Sequence, residues 1–336
     1  MPAHPAETHP ARDAELVSVL VRSMDRPTLE RALDSAAAQT WPNLEIVVVA
    51  ACGHSHRALP DEHHGRPLRL VFGDENRRLP RPEAANVALD AARGTWLNFL
   101  DDDDEFLPHH IDALMKASRP SGERVVYSRT RVVDGAGNTL GHCGFEGFHG
   151  TFHYQSRTIP VGTLFRRDLV AEGARFDPAF DLLEDHDFFV NLASRTPFRF
   201  VDEVTNVWHA DAGESGSGFG HNQHPEILEP YLQRLRAKWR DVLAGWTNTP
   251  ETLLFLGQHN LRAGDVANAL PYLEQALQLL PDDVNALNLC GMAHLQAGDA
   301  ARAEMLIARA LARAPGHAGL AANLALAREK ARKNPT

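Results

Sequence analysis

A short apolar run ends at four aspartates in the segment Gly94-Thr-Trp-Leu-Asn-Phe-Leu-Asp-Asp-Asp-Asp-Glu-Phe-Leu-Pro108. The apolar run predicts a buried strand, and Pro108 opens a pattern typical of a helix. Because side chains alternate along a strand, Asp101 and Asp103 should point the same way. Four adjacent carboxylates repel one another unless something neutralises them. We therefore predict that Asp103, with help from Asp101, holds Mg²⁺ or Mn²⁺, which prefer oxygen ligands. The alternative is a solvated acidic turn.

Length and composition limit the possible classes of protein. The chain has 336 residues, enough for two domains of about 150 residues each. Its 34 Lys and Arg against 44 Asp and Glu give a net charge of −10, which argues against nonspecific binding of nucleic acid. The three cysteines, Cys52, Cys143 and Cys290, lie far apart and fit a reducing compartment. No signal peptide or transmembrane segment is apparent, so we expect a cytoplasmic protein that could lie peripheral to a membrane complex.

The residues before the aspartates predict a parallel sheet. A strand at 16–21, a helix at 29–39 and a strand at 44–49 make a βαβ unit. A third strand at 69–72 and a helix at 83–92 precede the acidic strand. Ligands of such sheets bind in the crevice at the carboxyl ends of the strands. Four loops are expected to line that crevice, at 22–26, 50–56, 79–86 and 101–104.

Four motifs follow one another along the chain. They are Val17-Ser-Val-Leu-Val21 with Arg26-Pro27, Ala84-Ala-Asn86 before Gly94, Asp101-Asp-Asp103, and Leu183-Glu-Asp185-His-Asp187. In this order they resemble the family 2 glycosyltransferases, which are inverting enzymes of the GT-A fold. The resemblance covers approximately Leu16 to Ala210. It implies an α/β, Rossmann-like domain that binds a nucleotide sugar.

The resemblance also implies roles for single residues. Asp185, in the first turn of a helix predicted at 182–193, would be the general base that takes the proton of the acceptor hydroxyl. The alternative for Asp185 is a carboxylate that only favours the helix dipole. His209 matches a family histidine that contacts the metal or the diphosphate, although a lone histidine is often a surface or packed residue. We expect donor contacts at Arg22, Ser23, Arg26, Arg81, Asn86, Asp101 and Asp102.

One position departs from the family pattern. The family often carries an aspartate after the second strand, where it reads the nucleotide base, but this chain has Ala50 and Ala51. Neither alanine side chain can accept a hydrogen bond, so we do not expect a preference for uridine. Farther along, the glycine-rich segment Gly213 to Gly220 predicts a flexible lid over the donor.

Other site types are not indicated by the sequence. Cys52, His54, His56, His63 and His64 are potential zinc ligands, but their spacing matches no closed zinc site. The chain has no P-loop, no complete GxGxxG fingerprint and no paired CxxC motif.

A period of 34 residues appears beyond Pro250. The positions Leu256-Gly257, Gly264, Ala269, Leu273, Ala276 and Pro281 recur as Cys290-Gly291, Gly298, Ala303, Ile307, Ala310 and Pro315. This spacing resembles tetratricopeptide repeats. Two repeats with a final helix at 318–333 would bind a protein partner or a second copy, or would be purely structural. The predicted domains are a disordered N-terminus (1–14), a GT-A domain (15–224), a linking helix (225–248) and the repeats with their capping helix (249–336).

The sequence therefore predicts a metal-dependent inverting glycosyltransferase in glycan or polysaccharide biosynthesis. It would move a sugar from a nucleotide-sugar donor to a hydroxyl of a glycan, a lipid-linked acceptor or a protein. One alternative is a sugar nucleotidyltransferase, but that chemistry expects a glycine-rich loop after the first strand, and Arg22 to Pro27 contains no glycine. The other is a non-catalytic scaffold that acts through the repeats, against which the two acidic motifs argue.

Overall fold

The computed structural model describes residues 14–210 and 225–333. The predicted lid, Gly213 to Gly220, and residues 1–13 of the predicted disordered N-terminus lie outside this part of the chain. The described residues divide into two compact units. The described residues of the sheet unit are 14–147, 154–210 and 225–238, and those of the helical unit are 148–153 and 239–333.

The described strands of the sheet unit form one mixed sheet. Their bounds are β1 Val17–Ser23, β2 Leu44–Ala50, β3 Glu62–His63, β4 Arg66–Val71, β5 Trp96–Asp101, β6 Glu105–Phe106, β7 Val125–Val133, β8 Thr139–Cys143, β9 Thr163–Arg166 and β10 Phe198–His209. Their spatial order is β3-β4-β2-β1-β5-β9-β7-β10-β6, and β8 pairs with β7. β1 pairs in parallel with β2 and β5, whereas β9 runs antiparallel between β5 and β7.

The helices of the sheet unit follow the predicted alternation of strand and helix. Their bounds are α1 Leu29–Ala37, α2 Arg81–Ala91, α3 His110–Ser121, α4 Asp168–Ala171, α5 Glu184–Ala193 and α6 Pro225–Lys238. Leu33 and Ala36 of α1 are both buried. They belong to a core cluster with Val19 of β1 and Ile46 of β2. β1 and β2 are buried along their whole length, which explains why most of their residues are Val, Ile or Leu.

Two elements near the predicted site begin later than the sequence pattern predicts. The helix predicted at 182–193 begins at Glu184, because Leu183 has a left-handed backbone with φ 59°. The run from 159 to 165 has the apolar pattern of a strand, but β9 begins at Thr163, because Pro160–Gly162 forms a 3₁₀ turn with proline at its start.

The helical unit contains the predicted repeats. Its helices are α7 Arg240–Thr247, α8 Pro250–Arg262, α9 Val266–Leu279, α10 Val284–Gln296, α11 Ala300–Arg313 and α12 Ala318–Lys333. The start of each repeat helix is capped by a side chain that accepts a hydrogen bond from the backbone N–H three residues later. These caps are Thr249, Asp265, Asp283 and Asp299, so each cap of the first repeat recurs in the second. The predicted fold class, an α/β domain followed by a small all-α repeat domain, is confirmed.

The compact units divide the chain differently from the predicted domains. The predicted linking helix, 225–248, is two helices, since α6 ends at Lys238 and α7 begins at Arg240. α6 belongs to the sheet unit and α7 to the helical unit. The short segment Phe148–His153 also belongs to the helical unit, although it interrupts the sequence of the sheet unit. Within residues 14–210 and 225–333, no helix has both the length and the apolar character needed to cross a membrane.

Candidate active site

The ends of β1 and β5 are joined by an ion pair. Arg22 lies opposite Asp101 in the sheet register, and its Nε and Nη2 donate to the two carboxylate oxygens at 2.8 Å each. Burial disfavours the charge on Arg22, but the carboxylates of Asp101, Glu184 and Asp185 together raise the pKa of Arg22 above its ordinary value. Burial likewise opposes the charge on Asp101, yet Arg22 lowers the pKa of Asp101 overall. Both groups therefore stay ionised.

Asp102 is fully buried and fixes the loop that follows β1. Its Oδ2 accepts hydrogen bonds from the Met24 backbone N–H at 2.7 Å and from the Ser23 hydroxyl at 3.2 Å. Its Oδ1 accepts from the Arg26 guanidinium. His56 Nε2 lies 2.9 Å from Ser23 Oγ, so the loop after β2 is tied to the same network. Asp102 thus organises the loop through internal hydrogen bonds.

Asp103 and Asp104 complete a carboxylate cluster with Asp101. One carboxylate oxygen from each of the three lies within 4.8 Å of the others. Burial and the Asp101 charge raise the pKa of Asp103 to about 6. Burial and the Asp103 charge raise the pKa of Asp104 well above its ordinary value. Arg26 Nη1 lies 3.3 Å from Asp103 Oδ2. The raised pKa values indicate that neighbouring protein groups do not supply enough positive charge to offset the burial and mutual repulsion of the Asp103 and Asp104 carboxylates. A cation could supply that charge, and the all-oxygen donor set fits Mg²⁺ or Mn²⁺.

A second pair of carboxyl groups begins α5. Burial and the neighbouring Asp185 raise the pKa of Glu184 to about 7. The Glu184 Oε1 atom lies 3.5 Å from Arg22 Nη1 and 3.9 Å from Arg81 Nη1. Burial also raises the pKa of Asp185, although its Oδ1 accepts a hydrogen bond from the His186 backbone N–H at 2.8 Å. The pair therefore contains a carboxyl group that exchanges its proton near neutral pH, which suits general acid–base catalysis.

Two cavities of the sheet unit meet at these residues. The larger has a volume of about 460 Å³, within the range of about 300–1,000 Å³ that is usual for small-molecule sites. The smaller has a volume of about 150 Å³. Among the described residues, four line both cavities: Arg22, Arg81, Asp101 and Asp103. The larger cavity also contacts Arg78 and Ala51, and the smaller also contacts Glu184, Asp185 and His209. The metal-binding candidates and the candidate base therefore line one connected site.

Several predicted donor residues do not line either cavity in the described part of the chain. Ser23 and Asp102 are buried and bonded to each other. The side-chain amide of Asn86 forms two hydrogen bonds with the backbone of Phe176. It donates to the carbonyl at 2.9 Å and accepts from the N–H at 3.1 Å. The geometry assigns these three side chains to holding the site together, and their donor contacts stay predictions. Arg26 does line the larger cavity.

His209 lies at the smaller cavity but is engaged by protein groups. Its Nε2 is 2.8 Å from Glu105 Oε1, and its backbone N–H donates to Asp104 Oδ1 at 3.0 Å. A direct bond from Nε2 to a metal would require the contact with Glu105 to break. The role of His209 as a metal ligand stays a prediction.

Sequence reasoning missed other residues of the site. Asp104 and Glu184 each adjoin a predicted residue, but their contribution depends on burial, which the motifs do not reveal. Arg78 and Asp181 line the larger cavity from the loops before α2 and α5. A signal for Arg78 was available in the basic stretch Arg77-Arg78-Leu79-Pro80-Arg81, which overlaps the start of the loop expected at the crevice, 79–86.

Comparison with protein families identifies two segments of the chain. Residues 18–172 match the model of glycosyl transferase family 2, and residues 260–328 match a tetratricopeptide repeat model. Both the predicted family resemblance and the predicted order of domains are confirmed.

Curated relatives include several glycosyltransferases. ExoO of Rhizobium meliloti, a succinoglycan biosynthesis protein, is 31% identical over 133 residues, which are 38% of this chain and 36% of ExoO. YwdF of Bacillus subtilis, an uncharacterised glycosyltransferase, is 25% identical over 244 residues, which are 66% of this chain and 83% of YwdF. The chain spans between 27% and 36% of the length of three of the curated relatives it matches.

Solved structures include that of S. aureus TarS 1–349 in complex with UDP-GlcNAc. The TM-score is 0.49 with 15% sequence identity, and the match covers 95% of this chain and 92% of the TarS chain.

Proposed function

We propose that this chain, whose residues 18–172 form a family 2 glycosyltransferase domain, is a metal-dependent inverting glycosyltransferase that uses a nucleotide-sugar donor. The observation that carries this proposal is the shared lining of the two cavities. The carboxylate Asp103 and the arginines Arg22 and Arg81 line both cavities, and Asp185 lines the smaller one. A donor diphosphate in the larger cavity would therefore have its sugar end near the candidate base.

The carboxylate cluster would hold the metal. Asp103 would be the main ligand, because Asp101 already gives both carboxylate oxygens to Arg22. Asp104 would add an oxygen from the buried side of the cluster. A bound Mg²⁺ or Mn²⁺ would neutralise the charge that develops on the departing diphosphate. Arg81, half exposed at both cavities, would contact the same phosphate groups.

Asp185 would accept the proton of the acceptor hydroxyl. As the hydroxyl oxygen forms its bond to the anomeric carbon from one side, the bond to the nucleoside diphosphate breaks on the other, which inverts the configuration. Glu184 lies beside Asp185 with a pKa of about 7, so its protonation state sets the charge next to the base. We favour Asp185 as the base because the Glu184 carboxyl group is already close to two guanidinium groups, those of Arg22 and Arg81.

The nucleobase of the donor would be recognised without a carboxylate from the loop after β2. Ala51 lines the larger cavity, and its carbonyl already accepts the Leu79 N–H at 2.8 Å. Arg78 is the nearby exposed group that could contact the base or ribose. We therefore infer that uridine donors are not preferred. Titration with UDP, GDP and dTDP in the presence of Mn²⁺ tests this, and a strong preference for UDP would contradict it.

The acceptor would be a glycan, lipid-linked or protein hydroxyl. The likeness to a succinoglycan biosynthesis protein favours polysaccharide synthesis as the setting. The helical unit would bring a protein partner or a second copy of the chain to the enzyme. The three free cysteines suit a reducing compartment such as the cytoplasm.

The decisive experiment measures metal-dependent donor hydrolysis and donor binding in parallel. Asp185→Asn keeps the shape of the side chain but removes the proton acceptor. It should lower the rate by about 10²-fold or more while donor affinity stays nearly unchanged. Asp103→Ala should abolish both turnover and the part of donor affinity that depends on Mn²⁺. Asp61→Asn, at an exposed position outside both cavities, is the matched control.

For each of these measurements, one outcome would contradict a specific part of the proposal. Asp185→Asn with the wild-type rate would show that another group is the base. Equal donor binding in chelator and in Mn²⁺ would remove the metal from the mechanism. Incorporation of a nucleotide from a nucleoside triphosphate into a sugar phosphate would instead favour the nucleotidyltransferase alternative.

A further inference from the structure

A second cluster of ligating side chains lies at the β3 edge of the sheet, where β3 and β4 meet helix α1. Two histidine side chains lie within hydrogen-bond distance of the same carboxylate oxygen of Asp34, in α1. His63 Nε2 lies 2.8 Å from Asp34 Oδ1, and His64 Nε2 lies 3.1 Å from it. One ligand atom from each of the three residues lies within 4.8 Å of the others. None of the three lines either cavity of the candidate active site.

The backbone of the hairpin brings both histidines to one side. Consecutive residues of a strand place their side chains on opposite faces. Here His63 pairs with Arg66 across a two-residue loop, His64-Gly65, whose φ angles are 47° and 77°. Two positive φ angles define a type I′ turn, which prefers Asn or Gly at its first position. His64 occupies that position, and its ring centroid lies 4.5 Å from that of His63.

The hairpin is anchored on the end of α1 independently of the histidines. Arg66 donates from Nη1 to the Pro42 carbonyl and from Nη2 to the Gln39 carbonyl, at 2.6 Å each. Its Nε donates to the Ala37 carbonyl at 3.2 Å. The guanidinium of Arg66 is thus bound to backbone carbonyls, which holds the hairpin against the helix. The histidines and Asp34 are therefore preorganised by contacts that do not involve the cluster itself.

We propose that Asp34, His63 and His64 bind a divalent transition-metal ion of the zinc type. Two imidazole nitrogens and one carboxylate are ligands that Zn²⁺ takes, whereas Mg²⁺ and Ca²⁺ prefer oxygen alone. In the metal-free form, two Nε2–H groups donate to one carboxylate oxygen. When the ion binds, each imidazole carries its proton on Nδ1 instead of Nε2 and presents the Nε2 lone pair. The ion then lies where the two Nε2–H hydrogens were, between the imidazoles and the carboxylate. Three protein ligands leave a fourth position of a tetrahedral zinc ion for water or for another ligand.

The partial exposure of the site gives an ion a route to it. The His63 side chain is 10% exposed, whereas those of His64 and Asp34 are 70% and 52% exposed. A bound ion would join the hairpin at the sheet edge to α1, and so would stabilise the folded chain as any ligand of the native state does.

The test uses the full chain, stripped with a chelator and titrated with ZnCl₂ by calorimetry. His64→Asn is the informative variant, because Asn suits a type I′ turn and so keeps the hairpin while removing one ligand. Asp34→Asn removes the carboxylate charge. We expect each variant to weaken one zinc-binding event by about tenfold or more, the loss typical even of changes to outer-shell partners. MgCl₂ should not reproduce that event.

Two controls separate this site from other zinc binding. His142→Ala removes an exposed histidine on β8, outside the cluster, and should leave the event intact. Asp103→Ala should remove any zinc bound by the active-site carboxylates but not this event. Zinc should also raise the melting temperature of the wild type more than that of His64→Asn. Unchanged zinc affinity in both His64→Asn and Asp34→Asn would overturn the proposal and leave a hydrogen-bonded surface cluster.

Discussion

At the scale of single residues, two aspartates of the turn after β5, Asp102 and Asp104, have opposite surroundings. Asp102 is fully buried and receives hydrogen bonds from Ser23, Met24 and Arg26. Asp104 is nearly as buried, but it lies beside Asp103 and Asp101, which together with burial raise its pKa. The carboxylate of Asp102 therefore has hydrogen-bond donors from three residues, whereas that of Asp104 is penalised by burial and by neighbouring negative charge.

This contrast predicts opposite effects of the same substitution. Without metal, Asp102→Asn should lower the free energy of unfolding by about 2 to 3 kcal/mol, because charge-assisted hydrogen bonds are weakened. Asp104→Asn should leave that free energy unchanged or raise it, because it replaces a disfavoured charge with a neutral isostere. Urea unfolding in chelator measures both. An equal loss of stability in the two variants would contradict the assigned environments.

Glu184 predicts a pH dependence of stability. Its pKa is about 7 in the folded chain against an ordinary value of 4.5, so the folded state binds more protons between these values. The free energy of unfolding should therefore fall as pH rises from 4.5 towards 7. Glu184→Gln should remove roughly 2 to 4 kcal/mol of this fall. Unfolding of metal-free protein at pH values on either side of this window measures it. A slope in Glu184→Gln as steep as that of the wild type would contradict the raised pKa.

The sequence predicted part of the site at this scale. The alternation of strand side chains predicted that Asp101 and Asp103 belong together. Both line the two cavities, although β5 ends at Asp101 and Asp103 lies in the turn that follows. The inward roles of Asp102 and Asn86 could not be predicted, because their partners lie on other elements. Asn86 contacts Phe176, 90 residues away in sequence. Short motifs contain no information on such distant contacts.

At the scale of elements, α6 is held to the sheet unit by charge. Lys238, the last residue of α6, donates to Asp177 and to Asp187 at 2.8 Å each. The Asp187 side chain is fully buried on α5. The sequence pattern predicted a linking helix here, but it did not identify the lysine, since a basic residue near a helix end is commonly a solvent-exposed partner of the dipole.

Lys238→Met should therefore destabilise the sheet unit. The substitution keeps much of the aliphatic stem but removes the positive charge beside the buried Asp187, which should cost about 2 to 4 kcal/mol. Lys116→Met is the matched control, because its ion pair with Asp112 is a surface i,i+4 pair and should contribute less than about 0.5 kcal/mol. Thermal unfolding compares them. Equal melting temperatures for the two variants would show that Asp187 does not depend on Lys238.

At the scale of the whole molecule, the order of domains was predictable and the exact division of the chain was not. The 34-residue period and the βαβ pattern are local signals, and each predicted its unit correctly. The assignment of Phe148–His153 to the helical unit rests on contacts with residues about a hundred positions later. In that unit, Phe148 packs against Phe255 of α8 and His149 against Trp246 of α7, with ring centroids 5.8 Å and 5.0 Å apart.

Substitution of Gly150 would test whether the stability of the helical unit depends on the segment Phe148–His153. A Cβ atom at Gly150 would lie 2.2 Å from Thr252 Oγ1 and 2.3 Å from its Cγ2, and Thr252 is itself buried in α8. Gly150→Ala should thus force the segment away from α8 and lower the stability of the helical unit by about 1 to 3 kcal/mol. Gly245→Ala, in α7, is the control: its Cβ would meet no atom within 4 Å, and replacing a helical glycine should raise stability by up to about 1 kcal/mol. Hydrogen exchange of α8 amides in the two variants gives the local readout. Faster exchange in Gly150→Ala alone is expected, whereas wild-type exchange in both variants would show that α8 does not rely on residues 148–153.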